Sequence, residues 1–449
     1  MMNTPRPRLQ TGQALPLAMV MLVAVAAIVF FMFNSGQLVQ EKIRLTNTAD
    51  AVAYSAGVFE ARVLNYDAYT NRAIIANEIA LGQAIGLASW AKYAGTAAEN
   101  IKPYAYLIPA PYGEMAAEIL DLVKDMSEAY TTVLANSVVP MHDAAINALA
   151  VSQLVMHGPG NGVALASRKM LMDSVAHAND PDAKVDVLPI TDDFAGFVQA
   201  YSSREERTRM GRLVQDDRDA FLRSRNWGFG LVVLCTGEEL KKRGSTEFID
   251  LVDGWKSMDT LSVHRHRIKR FRCRRSELPI GYGTAFSDGD LNDDAYSYAG
   301  SRSTNPRASL YADSDEGIAE GFDPEPPTVA GGAIPVFHEL SEEVLKQEDP
   351  RTTLVIRVSK SQAKQVFSGG AGAIKPQGSL DLYQGALASG ESAAVSSVEV
   401  FFERPDTGNR LFGKKETGSL FNPYWQARLA AVTPAQRALA QLKQGLQLP

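Results

Sequence analysis

The sequence predicts an α+β protein in three parts: an N-terminal transmembrane helix, a long α-helical region and a C-terminal β-rich domain. Three observations carry this. Residues 15–33, LPLAMVMLVAVAAIVFFMF, are nineteen in a row without a charge. No proline occurs between Pro16 and Pro103, and Ala, Leu, Glu and Arg dominate the stretch after the apolar run. From Trp227 onward, short segments rich in β-branched and aromatic residues are bounded by Gly, Pro or Asp.

The chain of 449 residues is long enough for two or three domains and a substantial core. With 45% hydrophobic and 21% charged residues it is not globally disordered. Its net charge of −6 excludes a chain that binds polyanions as a whole.

Residues 1–11 read as a short cytoplasmic tail and residues 12–36 as the membrane anchor. The nineteen apolar residues span roughly 28 Å, close to the hydrocarbon thickness of a bilayer. Arg6 and Arg8 precede the run, and no Lys or Arg follows it until Lys42 and Arg44. That bias places the N-terminus in the cytoplasm and the bulk of the chain across the membrane. The run is longer than the core of a cleaved signal and no A-x-A site ends it, so the anchor is expected to stay.

Residues 37–225 are predicted to be largely helical. Small residues recur at every fourth position, at Ala49, Ala53, Gly57 and Ala61, and again at Ala76, Ala80, Ala84 and Ala88. Such spacing lines one helical face, and a face that smooth lets another helix approach closely. PYAYLIPAPY (103–112) should reverse the chain into a second helix, with Met115, Ile119, Leu122, Val123, Met126 and Tyr130 at helical spacing. Pro140 should break or kink it before a continuation to His157. A further helix is expected at 163–178, and another through about Leu222, capped by Asp192 or Asp193.

Residues 226–449 form the β-rich part, with strands expected at WGFGLVVLC, LSVHRHRIKRFRC, TTLVIRVSK and SSVEVFFER. A flexible Gly/Ser/Asp/Pro-rich insertion is predicted near 287–335. A last helix, TPAQRALAQLKQGLQ, is capped by Thr433.

Gly12-Gln13-Ala14, the apolar span and then LTNTADAVAYSAG (45–57) resemble the TadE/TadG-like pilus-assembly proteins of Tad (Flp) systems. Their pattern is an Arg/Gly-Gln-Ala start, a span, and a helix ending Q-N-A-A-D-A-A-A-L-A; Asn47, Ala49, Asp50, Ala51 and Ala53 match that ending. The resemblance covers about residues 11–60. It implies a single-pass inner-membrane protein with a periplasmic bulk and other pilus-assembly or pilin-like membrane proteins as partners. Self-association is compatible with it, and nucleic acid is not an expected partner. Five residues after Gly12 stands Leu17, where processed members carry Glu, so prepilin processing is not expected. The segment SLFNPYWQARL (419–429) has the look of a signature without evident chemistry.

No catalytic constellation, cofactor motif or metal site emerges. Asp125-Met126-Ser127-Glu128-Ala129 lacks the second Ser of an adhesion-type metal site. DGDLNDD (288–294) lacks the Gly and Glu of a calcium loop. HELSE (338–342) has Glu342 where a metallopeptidase needs its second His. The basic run HRHRIKRFRCRR carries Arg265, Arg267, Lys269, Arg270, Arg272, Arg274 and Arg275. It is either a strand face paired with the chain's own acids or a grip on DNA or acidic polysaccharide. Cys235 and Cys273 are either a disulfide, as an oxidising compartment allows, or two buried thiols. The expectation is therefore a non-catalytic, membrane-anchored assembly component that acts through helix packing at Ala49, Ala53, Gly57 and Ala61 and through protein docking. The alternative is an envelope-anchored polyanion-binding module.

Overall fold

The computed structural model describes residues 14–158, 162–187, 192–249, 254–287, 296–314, 336–361, 364, 391–404 and 416–445. The tail with Arg6 and Arg8, the 288–294 turn and most of the predicted 287–335 insertion lie outside the described residues.

One helix, α1 (Ala14–Ala105), runs for 92 residues, roughly 140 Å at about 1.5 Å per residue. The predicted span and the predicted long helix are thus a single element. Its character changes along its length: the apolar side chains from Leu15 to Phe33 are exposed apart from half-buried Phe30, whereas from Leu45 onward α1 is the spine of three successive hydrophobic clusters. The glycines on α1 are points of close approach. A Cβ on Gly82 would lie 2.7 Å from the Trp255 ring.

After the turn, α2 (Tyr112–Val133), a single π-helical turn (Leu134–Val138), α3 (Val139–His157) and α4 (Gly162–Asn179) run back along α1. The antiparallel course is marked by side-chain pairs from one end to the other. Lys102 meets Asp121, Ser127 donates to the Ala91 carbonyl, His142 meets Asn77, His157 meets Asp67, Arg168 meets Glu60, and Arg44 donates to the Asn179 carbonyl. Pro140 does not break the run. It stands in the first turn of α3, where a missing N–H is tolerated, and the wide turn before it absorbs the change of register.

The strands β1 (Lys184–Val187) and β2 (Val198–Tyr201) flank a single helical turn, α5 (Phe194–Phe197). The helix expected from Asp192 to Leu222 is therefore interrupted. Its longer part is α6 (Arg204–Asp216), capped by a reciprocal Ser203–Glu206 box, followed by the turn α7 (Ala220–Arg223). Next come β3 (Trp227–Val233), β4 (Thr236–Phe248), β5 (Trp255–Lys269) and β6 (Arg272–Phe286), an antiparallel meander. The run read as one strand, LSVHRHRIKRFRC, is a hairpin: Arg270 and Phe271 take positive φ and reverse the chain between β5 and β6.

The helices α8 (Ser301–Thr304) and α9 (Pro306–Asp313) cover the face of this sheet opposite α1. Then follow β7 (Phe337–Leu340), the turn α10 (Glu342–Leu345), β8 (Arg351–Ser361), β9 (Glu391–Phe402), β10 (Trp425–Ala430) and α11 (Pro434–Gly445). A second sheet has the order β1-β8-β9-β10, and β2 pairs with β7. Strands on the N-terminal side of residue 226 thus complete pairings with strands far beyond it, and both four-stranded sheets seat on α1.

The meander is fixed to α1 by a buried charge cluster. Asp259 accepts from Ser89 of α1 at 2.8 Å and from Arg225 at 2.8 Å, and it contacts the fully buried Lys242. Burial alone would raise the Asp259 pKa, but the two cations hold it below the ordinary carboxylate value. Beside it, Gly283 of β6 lies flat on the α1 backbone, where a Cβ would collide with the Tyr93 nitrogen and sit 2.5 Å from the Ser89 oxygen. Backbone cannot move aside as a flexible side chain can. Gly283→Ala should therefore cost about 1–3 kcal/mol in denaturant unfolding. The control Gly196→Ala, with nothing within 4 Å of the added carbon, should stay within about 0.5 kcal/mol of wild type. Equal stabilities for the two variants would contradict this packing.

Candidate functional site

The small-residue face lies against the chain's own sheet. Ala49, Ala53 and Ala61 are buried, and a Cβ on Gly57 would collide with Val398 of β9 and lie 3.2 Å from Ala427 of β10. Around this face stand Leu45, Val52, Met172, Leu354 and Ile356. Small side chains bring the sheet close to the helix, and the larger neighbours supply the apolar burial. Asp50, the acid of the LTNTADAVAYSAG stretch, accepts from Ser396 of β9 at 2.6 Å.

One helical segment further on, α1 carries a row of polar side chains that sequence reasoning did not single out. The Asp67 carboxylate is 2.7 Å from His157 Nε2 of α3, and His157 stacks on His338 of β7 with ring centroids 5.0 Å apart. Gln153 donates to Thr70 and Asn71, and Asn71 donates to the carbonyls of His338 and Leu420. Burial raises the Asp67 pKa and, together with the neighbouring His157, lowers that of His338 to about 4. A cavity of about 190 Å³ opens beside His157, walled by Met156, Leu165, Phe194 and Val198. The histidine and carboxylate are spent on each other and on joining three elements, and Thr70, the nearby hydroxyl, is already bonded to Gln153 and to the backbone. This arrangement fastens; it has the parts of a clamp.

The SLFNPYWQARL segment acquires its chemistry here. Asn65 donates to the Trp425 carbonyl at 2.9 Å and accepts from the Trp425 nitrogen at 3.0 Å. Arg72 donates to the Phe421 carbonyl and to Asn422, while the Leu420 nitrogen donates to buried Glu339 at 2.6 Å. The segment is a strap across the α1 stretch NYDAYTNR. His338 and Glu339 of HELSE lie on a buried strand and not on a helix.

The basic run occupies the outer half of the meander, beyond the last hydrogen bond to α1, which Asn100 donates to the Ile280 carbonyl. Cross-strand partners share a face. Arg265, Arg267 and Lys269 of β5 and Arg272 and Arg274 of β6 therefore line the face that, nearer the base, meets α1. Arg275 lies on the other face and Arg270 in the turn. Arg265 pairs with Glu238 at 2.8 Å, while Arg267 faces Arg274 and Lys269 faces Arg272. The stacked edge-strand rings of Trp227 and Phe229 lie on the same face, and the tips expose Leu234 and Phe271. Cys235 and Cys273 are bonded to each other with Cα atoms 5.6 Å apart, which ties the two hairpin ends together.

The apolar residues of α2 turn outward. Met115, Ile119, Leu122 and Met126 are 54–62% exposed, while the opposite face, with Gly113, Ala117, Ser127 and Thr131, packs inward.

Buried Glu78 of α1 accepts from the Trp255 indole at 3.4 Å, and burial lifts its pKa from 4.5 to about 8. The folded chain keeps a proton that the unfolded chain releases above 4.5, so this group's contribution to stability falls as pH rises toward 8. Glu78→Gln keeps an acceptor for Trp255 but cannot ionise. Its melting temperature should match wild type near about pH 5 and exceed it near about pH 8. Parallel pH profiles would refute the burial of an ionisable Glu78.

Two helical stretches, Ala14–Ala105 and Tyr112–His157, are long and apolar enough to cross a membrane by length and composition; the apolar window of the first is wholly exposed. Comparison with known proteins yields no match among curated proteins or solved structures. Residues 12–61, which run from the exposed apolar segment of α1 through its small-residue seat, match the Tad family model, Flp pilus-assembly TadE/G-like. The similarity to that family is confined to this N-terminal segment, residues 12–61.

Proposed function

We propose that the protein is a membrane-anchored, non-catalytic component of a Tad/Flp-like pilus assembly or secretion system. Its N-terminus lies in the cytoplasm, it crosses the membrane once, and its bulk is periplasmic. The observation that carries this reading is the abrupt change along α1. Exposed apolar side chains to Phe33 give way to a buried spine from Leu45, and the family match spans that junction. An isolated exposed helix this apolar is unstable in water and stable in lipid. The second apolar stretch carries Glu114, Glu118, Asp121, Asp125 and Glu128 and packs along the buried part of α1, which supports a single crossing.

In this account Ala49, Ala53, Gly57 and Ala61 set the distance between spine and sheet, and docking falls to surfaces further along the rod. The polyanion reading draws support from the exposed cations of the arm. Protein docking is preferred because the same arm exposes Leu234 and Phe271 at its tip, a chemistry that suits an apolar partner better than sugar or phosphate.

The test deletes residues 1–36 behind a cleavable secretion signal. The shortened chain should move from the membrane fraction to the soluble periplasmic fraction, with pilus assembly lost. Assembly that persists with the soluble chain, or a shortened chain that still resists carbonate extraction, would overturn the anchor reading.

A further inference from the structure

The outer half of the meander and the outward face of α2 are complementary, and each carries closely spaced like charges, of which Asp121 is paired with Lys102 of α1. On the arm, Arg267 stands directly opposite Arg274 and Lys269 opposite Arg272, an arrangement that weakens a hairpin. Between His264 and Arg275 there are seven Arg and Lys and no acid. On α2 the sign is reversed. Glu114 and Glu118, and likewise Asp121 and Asp125, are four residues apart, where like charges destabilise a helix; of the helix's six charged residues only Lys124 is basic. Each surface pairs its charge with exposed apolar side chains: Phe229, Leu231, Leu234 and Phe271 on the arm, and Met115, Ile119, Leu122 and Met126 on α2. The spacing of four, three and four along α2 is that of a helix seam made to be covered.

We propose that the arm of one copy docks on the α2 face of a second copy. The inference rests on the docking reading above and names its partner. Both surfaces lie at the end of the rod remote from the apolar segment of α1. Trp255 sits at Gly82, Asp259 at Ser89 and Ile280 at Asn100, so the meander climbs away from Phe33. The arm thus begins about 100 Å along α1 from that segment, and the bilayer that would hold the anchor is out of its reach. Copies anchored in one bilayer present arm and α2 to each other at similar height. The contact joins two different patches, so each copy keeps one free arm and one free α2 face, and the association continues from copy to copy.

The experiment uses the full-length protein in detergent, followed by sedimentation velocity at low and high salt. The wild type should form concentration-dependent species larger than a dimer, reduced by salt. The arm variant Arg267→Glu/Arg274→Glu and the helix variant Glu118→Lys/Asp125→Lys should each self-associate at least about tenfold more weakly. Their melting temperatures should not fall, since all four positions are exposed and the helix variant replaces two like-charge pairs by opposite-charge ones. An equimolar mixture of the two should regain association beyond a dimer, because each contact then joins either two wild-type surfaces or two reversed ones, and all four substitutions in one chain should likewise restore self-association. Wild type that stays monomeric at low salt, or reversed variants that associate as it does, would overturn the proposal. So would an arm variant that loses binding to phosphatidylglycerol vesicles or to duplex DNA while self-association is untouched. Monomeric wild type alongside normal membrane anchoring and pilus assembly would overturn the self-contact and leave the assembly reading standing.

Discussion

The structure depends on how closely two β-sheets can approach one long helix. The backbone of α1 is within contact of Val398 at Gly57, of Trp255 at Gly82 and of β6 at Gly283. At those distances there is no room for a side chain between helix and strand. Apolar burial drives the packing, through Leu45, Val52, Leu64, Ile74 and Ile85. The small residues decide where each sheet sits along the axis, and buried polar pairs decide the register. Asp50, Asn65, Asp67, Asn71, Glu78 and Ser89 each take a partner from a segment distant in the chain. A one-turn slip of either sheet would leave several of these groups buried and unpaired, at a cost well above that of losing apolar contact alone.

The same constraint accounts for the shape. A single spine with elements seated in sequence gives a rod, and α2 to α4 return along it. One end of α1 is apolar and exposed; the other carries the basic arm and the acidic α2 face. The exposed apolar segment, the proposed anchor, and the proposed docking surfaces are thereby held apart by one continuous helix.

Part of this was legible in the sequence because it is local. The uncharged run at 15–33, the four-residue spacing from Ala49 to Ala61 and the amphipathic period of α2 are all fixed by near neighbours. The period of α2 nevertheless says nothing about which way the stripe faces, and here Met115, Ile119, Leu122 and Met126 face outward because Gly113, Ala117 and Ser127 fit α1 better. The β5–β6 turn escaped notice because Arg270 and Phe271 are poor formers of a tight turn, which favours Gly or Asn. The strands β1 and β2 are four residues each and exist only by pairing with β8 and β7. The clamp at Asp67, His157 and His338 unites residues far apart in the chain, and no local pattern joins them. The strap at 419–425 was visible as an unusual segment; its partners on α1 were not.

The central claim is that α1 is continuous from the apolar segment through the seats of both sheets, across Gly57, Gly82 and Gly86. Spin labels at the exposed positions Tyr54 and Trp90, in full-length protein, measure this directly. Thirty-six residues of unbroken helix predict one narrow distance distribution centred near about 54 Å. A distribution that is broad, or centred well below that value, would show α1 broken between the two sheets and contradict the account.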